Sequence, residues 1–211
     1  MKYDGILFDL DGTLWDATEQ IAASWNDIIA GAKEALAPYG KGAPPTAADL
    51  RAMCGKTMDA ITDMLFGDYP EKELLAERCY SHENDYLAEH AGTIYPGIER
   101  ALAILAAQVP LYVVSNCQSG YIEVFLKTSG LSGYFSDHLS FGDTGRPKGD
   151  NIRLMCERHG LKSPLYVGDT QADADASAVA GVPFAHVRYG FGTVSEAVLF
   201  IDTPEELASI I

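Results

Sequence analysis

The apolar run Gly5-Ile6-Leu7-Phe8 leads directly into Asp9-Leu10-Asp11-Gly12-Thr13-Leu14, and this junction constrains the fold more than any other part of the 211-residue chain. A short apolar run bounded by charge predicts a buried strand. Side chains two apart on a strand share a face, so Asp9 and Asp11 leave its carboxyl end together. Open α/β sheets bind ligands at that end. Gly12 lets the backbone approach an anion closely, and Thr13 adds a hydroxyl. Two adjacent carboxylates repel each other unless a cation or a shared proton lies between them. A hard divalent cation with oxygen ligands is the simplest resolution. Taken alone, the same residues also describe an Asp-Gly turn that merely ends a strand.

The chain then changes style twice. Over 18–36 apolar residues recur at Ile21, Trp25, Ile28, Ile29, Ala32 and Leu36, a helical period, with Asp16 or Thr18 available as its cap. Gly40-Lys41-Gly42-Ala43-Pro44-Pro45 breaks it. Helices are expected over 47–53, 58–66 and 71–90, with no strand in this block. From Tyr95-Pro96-Gly97 onward helices alternate with apolar strands: helices over 98–107, 121–128, 150–159, 172–180 and 204–210, strands over 111–114, 138–141, 165–167 and 184–187. That alternation predicts a doubly wound parallel α/β sheet with right-handed crossovers. An all-helical insert would follow its first strand.

Three further segments fall at or beyond the carboxyl ends of these elements: Ser115-Asn116, Lys148 in Gly145-Arg146-Pro147-Lys148-Gly149, and Gly168-Asp169-Thr170-Gln171-Ala172-Asp173. Each has an ordinary structural explanation, as a helix-capping turn or a solvated lysine. Together they make a phosphoryl-transfer site. Asp9 and Asp169 can hold Mg²⁺, with Asp173 one helical turn behind Asp169. Ser115 and its neighbouring amides can donate to phosphate oxygens, and Lys148 can neutralise charge developing on them. An aspartate nucleophile divides hydrolysis into two steps through an acyl phosphate. A second carboxyl two residues away can protonate the leaving oxygen and then deprotonate water.

The order D-x-D-G-T, then Ser, then Lys, then G-D-x-x-x-D resembles the haloacid dehalogenase superfamily over essentially the whole chain. The resemblance implies a Rossmann-like core over 1–15 and 91–211 and a helical type-1 cap over 16–90. It implies Asp9 as nucleophile and metal ligand, Asp11 as general acid/base and main-chain metal ligand, and Asp169 as metal ligand with Asp173 close behind. Gly12, Thr13, Ser115, Asn116 and Lys148 would contact phosphate, with Arg146 a candidate to share the role of Lys148. Tyr189-Gly190-Phe191-Gly192 resembles a segment of the phosphoglycolate-phosphatase-like branch. The implied activity is Mg²⁺-dependent hydrolysis of small phosphomonoesters. Asp11 points away from the dehalogenases, which lack that second aspartate. The absence of His from 18–30 weakens a phosphomutase reading. A signalling receiver domain has no helical insert after its first strand and carries its phosphorylated Asp later.

Charge narrows the partners. The net charge is −15, and without a Lys/Arg cluster the chain lacks the basic face that a nucleic-acid binder needs. No apolar run approaches the ~20 residues of a membrane span. Cys54, Cys79, Cys117 and Cys156 are scattered, without C-x-x-C spacing. With no signal-peptide pattern at the start, a cytoplasmic protein is expected. No feature encodes an oligomeric state. Residues 16–90 hold 14 Asp/Glu against 6 Lys/Arg, so such a lid repels multiply charged substrates. Arg51 and Lys56, which flank Gly55, are the candidate anion clamp of the cap. Trp15 is a candidate for the pocket mouth or for a hinge anchor. Cys117 has no nearby His and is discounted as a nucleophile.

Overall fold

The computed structural model describes residues 2–210. Its first strand, β1 (Gly5–Phe8), is buried throughout. A two-residue strand β2 (Trp15–Asp16) leads into four helices: α1 (Thr18–Leu36), α2 (Ala47–Met53), α3 (Met58–Phe66) and α4 (Lys72–Glu89). The return strand β3 (Thr93–Ile94) pairs antiparallel with β2 through Trp15–Ile94 and Asp16–Thr93. There follow α5 (Ile98–Ala106), β4 (Leu111–Ser115), α6 (Tyr121–Ser129), β5 (Phe135–Ser140), α7 (Phe141–Thr144) and α8 (Lys148–His159). The chain closes with β6 (Pro164–Gly168), α9 (Gln171–Ala180), β7 (Phe184–Val187), β8 (Leu199–Ile201) and a 3₁₀ helix over Pro204–Ser209.

The six long-range strands form one parallel sheet in the order β5-β4-β1-β6-β7-β8. Period-two alternation sends successive residues to opposite faces. Ile6, Phe8, Leu111, Val113, Leu165 and Val167 pack on one side with Leu102 and Phe125 from α5 and α6. Leu7, Tyr112, Val114 and Tyr166 pack on the other with Ile152 and Met155 from α8. β1 sits at the centre: the chain first builds outward through β4 and β5, then returns to build the other side from β6. The crevice at the carboxyl ends beside β1 is therefore the topological switch point.

Local chemistry sets the boundaries of the insert. Asp16 accepts from the Thr18 amide (2.9 Å) and hydroxyl (2.6 Å) just before α1, so Asp16 rather than Thr18 is the capping side chain. Thr46 and Asp49 form a reciprocal capping box on α2, and Thr57 caps α3. Several expectations need correction. The strand foreseen over 138–141 runs over Phe135–Ser140, and Phe141 instead opens α7, because Ser140 and Asp143 form another capping box. The C-terminal helix is a 3₁₀ helix. The β2–β3 ribbon and β8 were not foreseen. Trp15 is fully buried between the rings of Tyr121 (5.8 Å) and Phe125 (5.0 Å). It anchors the point where the insert leaves the sheet and does not line the pocket mouth.

Candidate active site

The carboxyl ends of β1, β4 and β6 converge, as parallel pairing on either side of β1 requires. Asp9 follows β1 and is buried. Lys148, at the start of α8, donates to Asp9 Oδ1 and to Asp173 Oδ1, each at 2.7 Å. Asp173 is fixed in its turn: its Oδ2 accepts from the Thr170 amide and hydroxyl, closing the capping box of α9. A lysine so deeply enclosed stays charged only because two carboxylates face it. Burial opposes its charge, yet Asp173 and Asp9 hold the Lys148 ammonium well above its ordinary value. Burial also works against the charge on Asp173, but Lys148 outweighs it and lowers the carboxyl below its usual range.

The other carboxyls respond to burial. Asp9 is pushed up to about 6 by burial and by Asp173, against the pull of Lys148. Burial raises Asp11 to about 8, although Tyr121 donates to its Oδ1 at 2.7 Å and partly offsets the shift. Asp169, raised to about 8 by burial and by its acidic neighbours, accepts from the Phe191 amide at 2.7 Å through Oδ2. Its Oδ1 is buried without a partner.

One carboxylate oxygen from each of Asp9, Asp169 and Asp173 lies within 4.8 Å of the others. An orphaned carboxylate oxygen inside an all-oxygen cluster is the donor set of a hard divalent cation. Both oxygens of Asp173 are committed, to Lys148 and to its helix cap, whereas Asp9 is tied to Lys148 through Oδ1 alone and Asp169 keeps an unpartnered Oδ1, so these two could hold a divalent cation.

Two glycines make this approach possible. Gly12 has φ +81°, and a Cβ there would collide with the Asp169 carboxylate. A Cβ on Gly190 would strike Asp169 and the Gly12 carbonyl. The segment Tyr189–Gly192 thus closes the site from behind: Tyr189 donates to the Thr13 carbonyl (2.9 Å), and Phe191 donates to Asp169.

A cavity of about 80 Å³ opens above these groups, between the sheet edge and the helical insert. Asp9, Asp11, Ser115, Asn116 and Lys148 line its floor, and the exposed Lys56 stands on the insert side. Other expected residues lie elsewhere. Gly12, Asp169 and Asp173 form the layer behind Asp9. Thr13 is fully buried, with its hydroxyl unpartnered and away from the cavity lining. Arg51 turns aside: it is tied to Asp16 (3.0 Å) and lies over the Phe191 ring, outside the lining. Arg146 is exposed on a separate groove with Asp150 and Arg153. Cys117 lines the cavity, but burial pushes its thiol well up and disfavours the thiolate.

Asn116 Nδ2 donates to the Gly55 carbonyl across the cavity at 2.9 Å, so a residue expected to meet phosphate also holds the insert. Sequence reasoning missed Tyr121, Glu83, Trp25 and Gln118. No spacing rule distinguishes them from core and surface residues of their helices and loops.

The haloacid dehalogenase-like hydrolase model matches residues 6–187. A phosphoglycolate phosphatase of Shigella boydii is 29% identical, with 89% of this chain and 82% of that protein covered. The plasmid phosphoglycolate phosphatase of Cupriavidus necator is 28% identical, with 88% and 81% covered. Among solved structures, a haloacid dehalogenase-like family hydrolase from Streptococcus pneumoniae superposes with a TM-score of 0.80 at 20% identity, covering 99% of this chain and 98% of that one. A subfamily IA hydrolase of the same superfamily from Geobacter sulfurreducens gives 0.70 at 20% identity, covering 98% and 95%. The motif order, the switch-point site and the match across most of the chain agree, and the protein belongs to the haloacid dehalogenase-like hydrolases.

Proposed function

We propose that this chain hydrolyses small phosphomonoesters through a phosphorylated aspartate on Asp9. The observation that carries the proposal is the fixed, buried contact of Lys148 with Asp9 Oδ1, which leaves the other Asp9 oxygen free beside the cavity. The Shigella and Cupriavidus relatives are phosphoglycolate phosphatases, which supports phosphate esters as the substrate class.

Asp9 attacks phosphorus, the bond from phosphorus to the ester oxygen breaks, and Asp11 gives its proton to the departing alcohol. Asp11, now a carboxylate, takes a proton from water as that water attacks the acyl phosphate, which frees Asp9 and releases inorganic phosphate. Tyr121 positions the Asp11 carboxyl through its 2.7 Å hydrogen bond. Ser115 and Asn116 orient the phosphate, and Lys148 balances charge on its oxygens. Asp9 and Asp169, with the main-chain carbonyl of Asp11, would hold Mg²⁺. The bound ion would neutralise phosphate charge and draw the ester against Asp9. Residues 1–15 and 91–211 act as the catalytic core and 16–90 as its cap, hinged at the β2–β3 ribbon. Substrates enter from an intracellular pool of soluble metabolites.

The test is phosphate release from a panel of phosphomonoesters with Mg²⁺ and with chelator, for wild type and Asp9→Asn. Metal-dependent release that Asp9→Asn abolishes is expected. Release indifferent to Asp9 would sink the proposal.

A further inference from the structure

Helix α4 is mostly polar, and its buried stripe recurs every fourth residue: Leu75, Cys79, Glu83, Leu87. A glutamate stands where the pattern calls for an apolar residue, and it is only 3% exposed. Such a residue usually pairs with a cation. Glu83 has none. Trp25 Nε1 donates to its Oε2 at 2.5 Å and Gln118 Nε2 to its Oε1 at 2.9 Å, both neutral donors. A carboxylate offers about four acceptor positions, so capacity remains on both oxygens. Each donor occupies one acceptor position on a different oxygen of Glu83. Docking of the insert therefore uses only part of the carboxylate's accepting capacity.

Glu83 lines the same cavity as Asp9 and Asp11. The rest of the wall that the insert contributes is largely apolar, with Ile21, Trp25, Leu50 and Met53. Among the described residues, two cations touch the cavity. Lys148 is neutralised by Asp9 and Asp173, and Lys56 is exposed. Arg51 is spent on Asp16. A leaving group ending in a carboxylate would thus meet a buried carboxyl and no buried free cation, whereas a hydroxyl would find an acceptor.

We infer that Glu83 is a specificity-determining residue of the cavity: it accepts a hydrogen bond from a hydroxyl on the leaving group, within an apolar wall, and disfavours esters that carry a second anion. The inference rests on the phosphatase reading for the placement of the phosphate on the Asp9 side.

A pair of two-carbon esters tests it: 2-hydroxyethyl phosphate, which ends in a hydroxyl, and 2-phosphoglycolate, which ends in a carboxylate. At pH 8 with Mg²⁺, wild type is expected to favour 2-hydroxyethyl phosphate in kcat/KM by ~10-fold or more, the scale set by a buried polar group left with the wrong partner. Glu83→Gln should bring the two within about threefold, mainly by improving KM for 2-phosphoglycolate. Equal or better use of 2-phosphoglycolate by wild type, or a ratio that Glu83→Gln leaves unchanged, overturns the inference. If Glu83→Gln does not fold, the wild-type ratio decides. Calorimetric Kd values of both esters on Asp9→Asn give the same comparison without turnover. Tighter 2-hydroxyethyl phosphate there, with no hydrolysis by wild type, would retain the specificity and refute the phosphatase reading. Hydrolysis that prefers 2-phosphoglycolate would do the reverse.

Discussion

Lys148 is the residue on which the buried charges balance. Its ammonium lies 2.7 Å from both Asp9 and Asp173, and all three side chains are buried. Removing one partner of a buried ion pair leaves uncompensated charge and typically costs ~3–5 kcal/mol. Lys148→Met is therefore expected to lower the free energy of unfolding in urea by about that amount, and to abolish turnover. Two carboxylates would then face each other, so the double variant Lys148→Met/Asp173→Asn should recover a large part of the stability and none of the activity. A double variant no more stable than the single one would show that the loss lies in packing of the lysine stem. At the same scale, Gly12→Ala places a methyl group against the Asp169 carboxylate at a φ of +81°. Strain of this kind costs ~1–3 kcal/mol, and a thermal melt unchanged by Gly12→Ala would contradict the close approach of Gly12 to Asp169.

Among the elements, α4 carries a buried carboxyl held only by neutral donors. Burial raises Glu83 from 4.5 to about 7, and the folded protein therefore holds this proton more tightly than the unfolded chain. The stability associated with it is fully present below pH 4.5 and is lost as pH rises through 7. Its titratable neighbours Cys79, Tyr80, Tyr121 and Asp11 are all pushed up as well, Asp11 to about 8, so the Glu83 step comes first. Glu83→Gln should gain on wild type by ~2–3 kcal/mol between pH 5 and 8, read as the difference of their urea midpoints. A difference that stays flat across that range would refute the raised carboxyl.

The same helix shows how far the chain is legible. Periodicity and breakers place α1, α2 and α3 at their observed bounds because each has its own stop and start chemistry, such as the Gly40–Pro45 break and the Thr46 and Thr57 caps. The motif carboxylates and Lys148 are legible because they sit at strand ends and at a helix start. Glu83 is not, since its i±4 partners are visible only as a stripe and nothing in sequence tells which face of a polar helix is covered. Tyr121 is likewise hidden: its hydroxyl reaches Asp11 across 110 residues of chain. The two-residue strands β2 and β3 and the three-residue β8 are too short for any period to register.

At the scale of the whole molecule, insert and sheet share one apolar cluster, which runs from Phe8 and Val113 in the sheet through Trp15 to Trp25 and Leu87 in the insert. Polar contacts add to this seam. Asn116 donates to the Gly55 carbonyl, Gln118 to Glu83 and Asn84, and Asn84 to the Ser119 carbonyl. A continuous core implies one cooperative unfolding step, even though the insert moves as a cap in the proposed cycle. The tryptophans report on two parts of this seam, Trp15 in the ribbon and Trp25 in α1. Fluorescence and far-UV circular dichroism should therefore give coincident melts. The cluster of Asp9, Asp169 and Asp173 exists only in the folded chain, so Mg²⁺ held there as proposed would stabilise that state by ~2.7 kcal/mol at 100 times its Kd. For a chain of this size that raises Tm by about 5–10 °C, and both probes should move together. Asp169→Asn, which removes a free carboxylate from the proposed metal site, should erase the Mg²⁺ shift while keeping a single transition. Two separated transitions would mean that insert and sheet fold as independent units despite their shared core. A Mg²⁺ shift that survives in Asp169→Asn would place the ion elsewhere on this acidic protein.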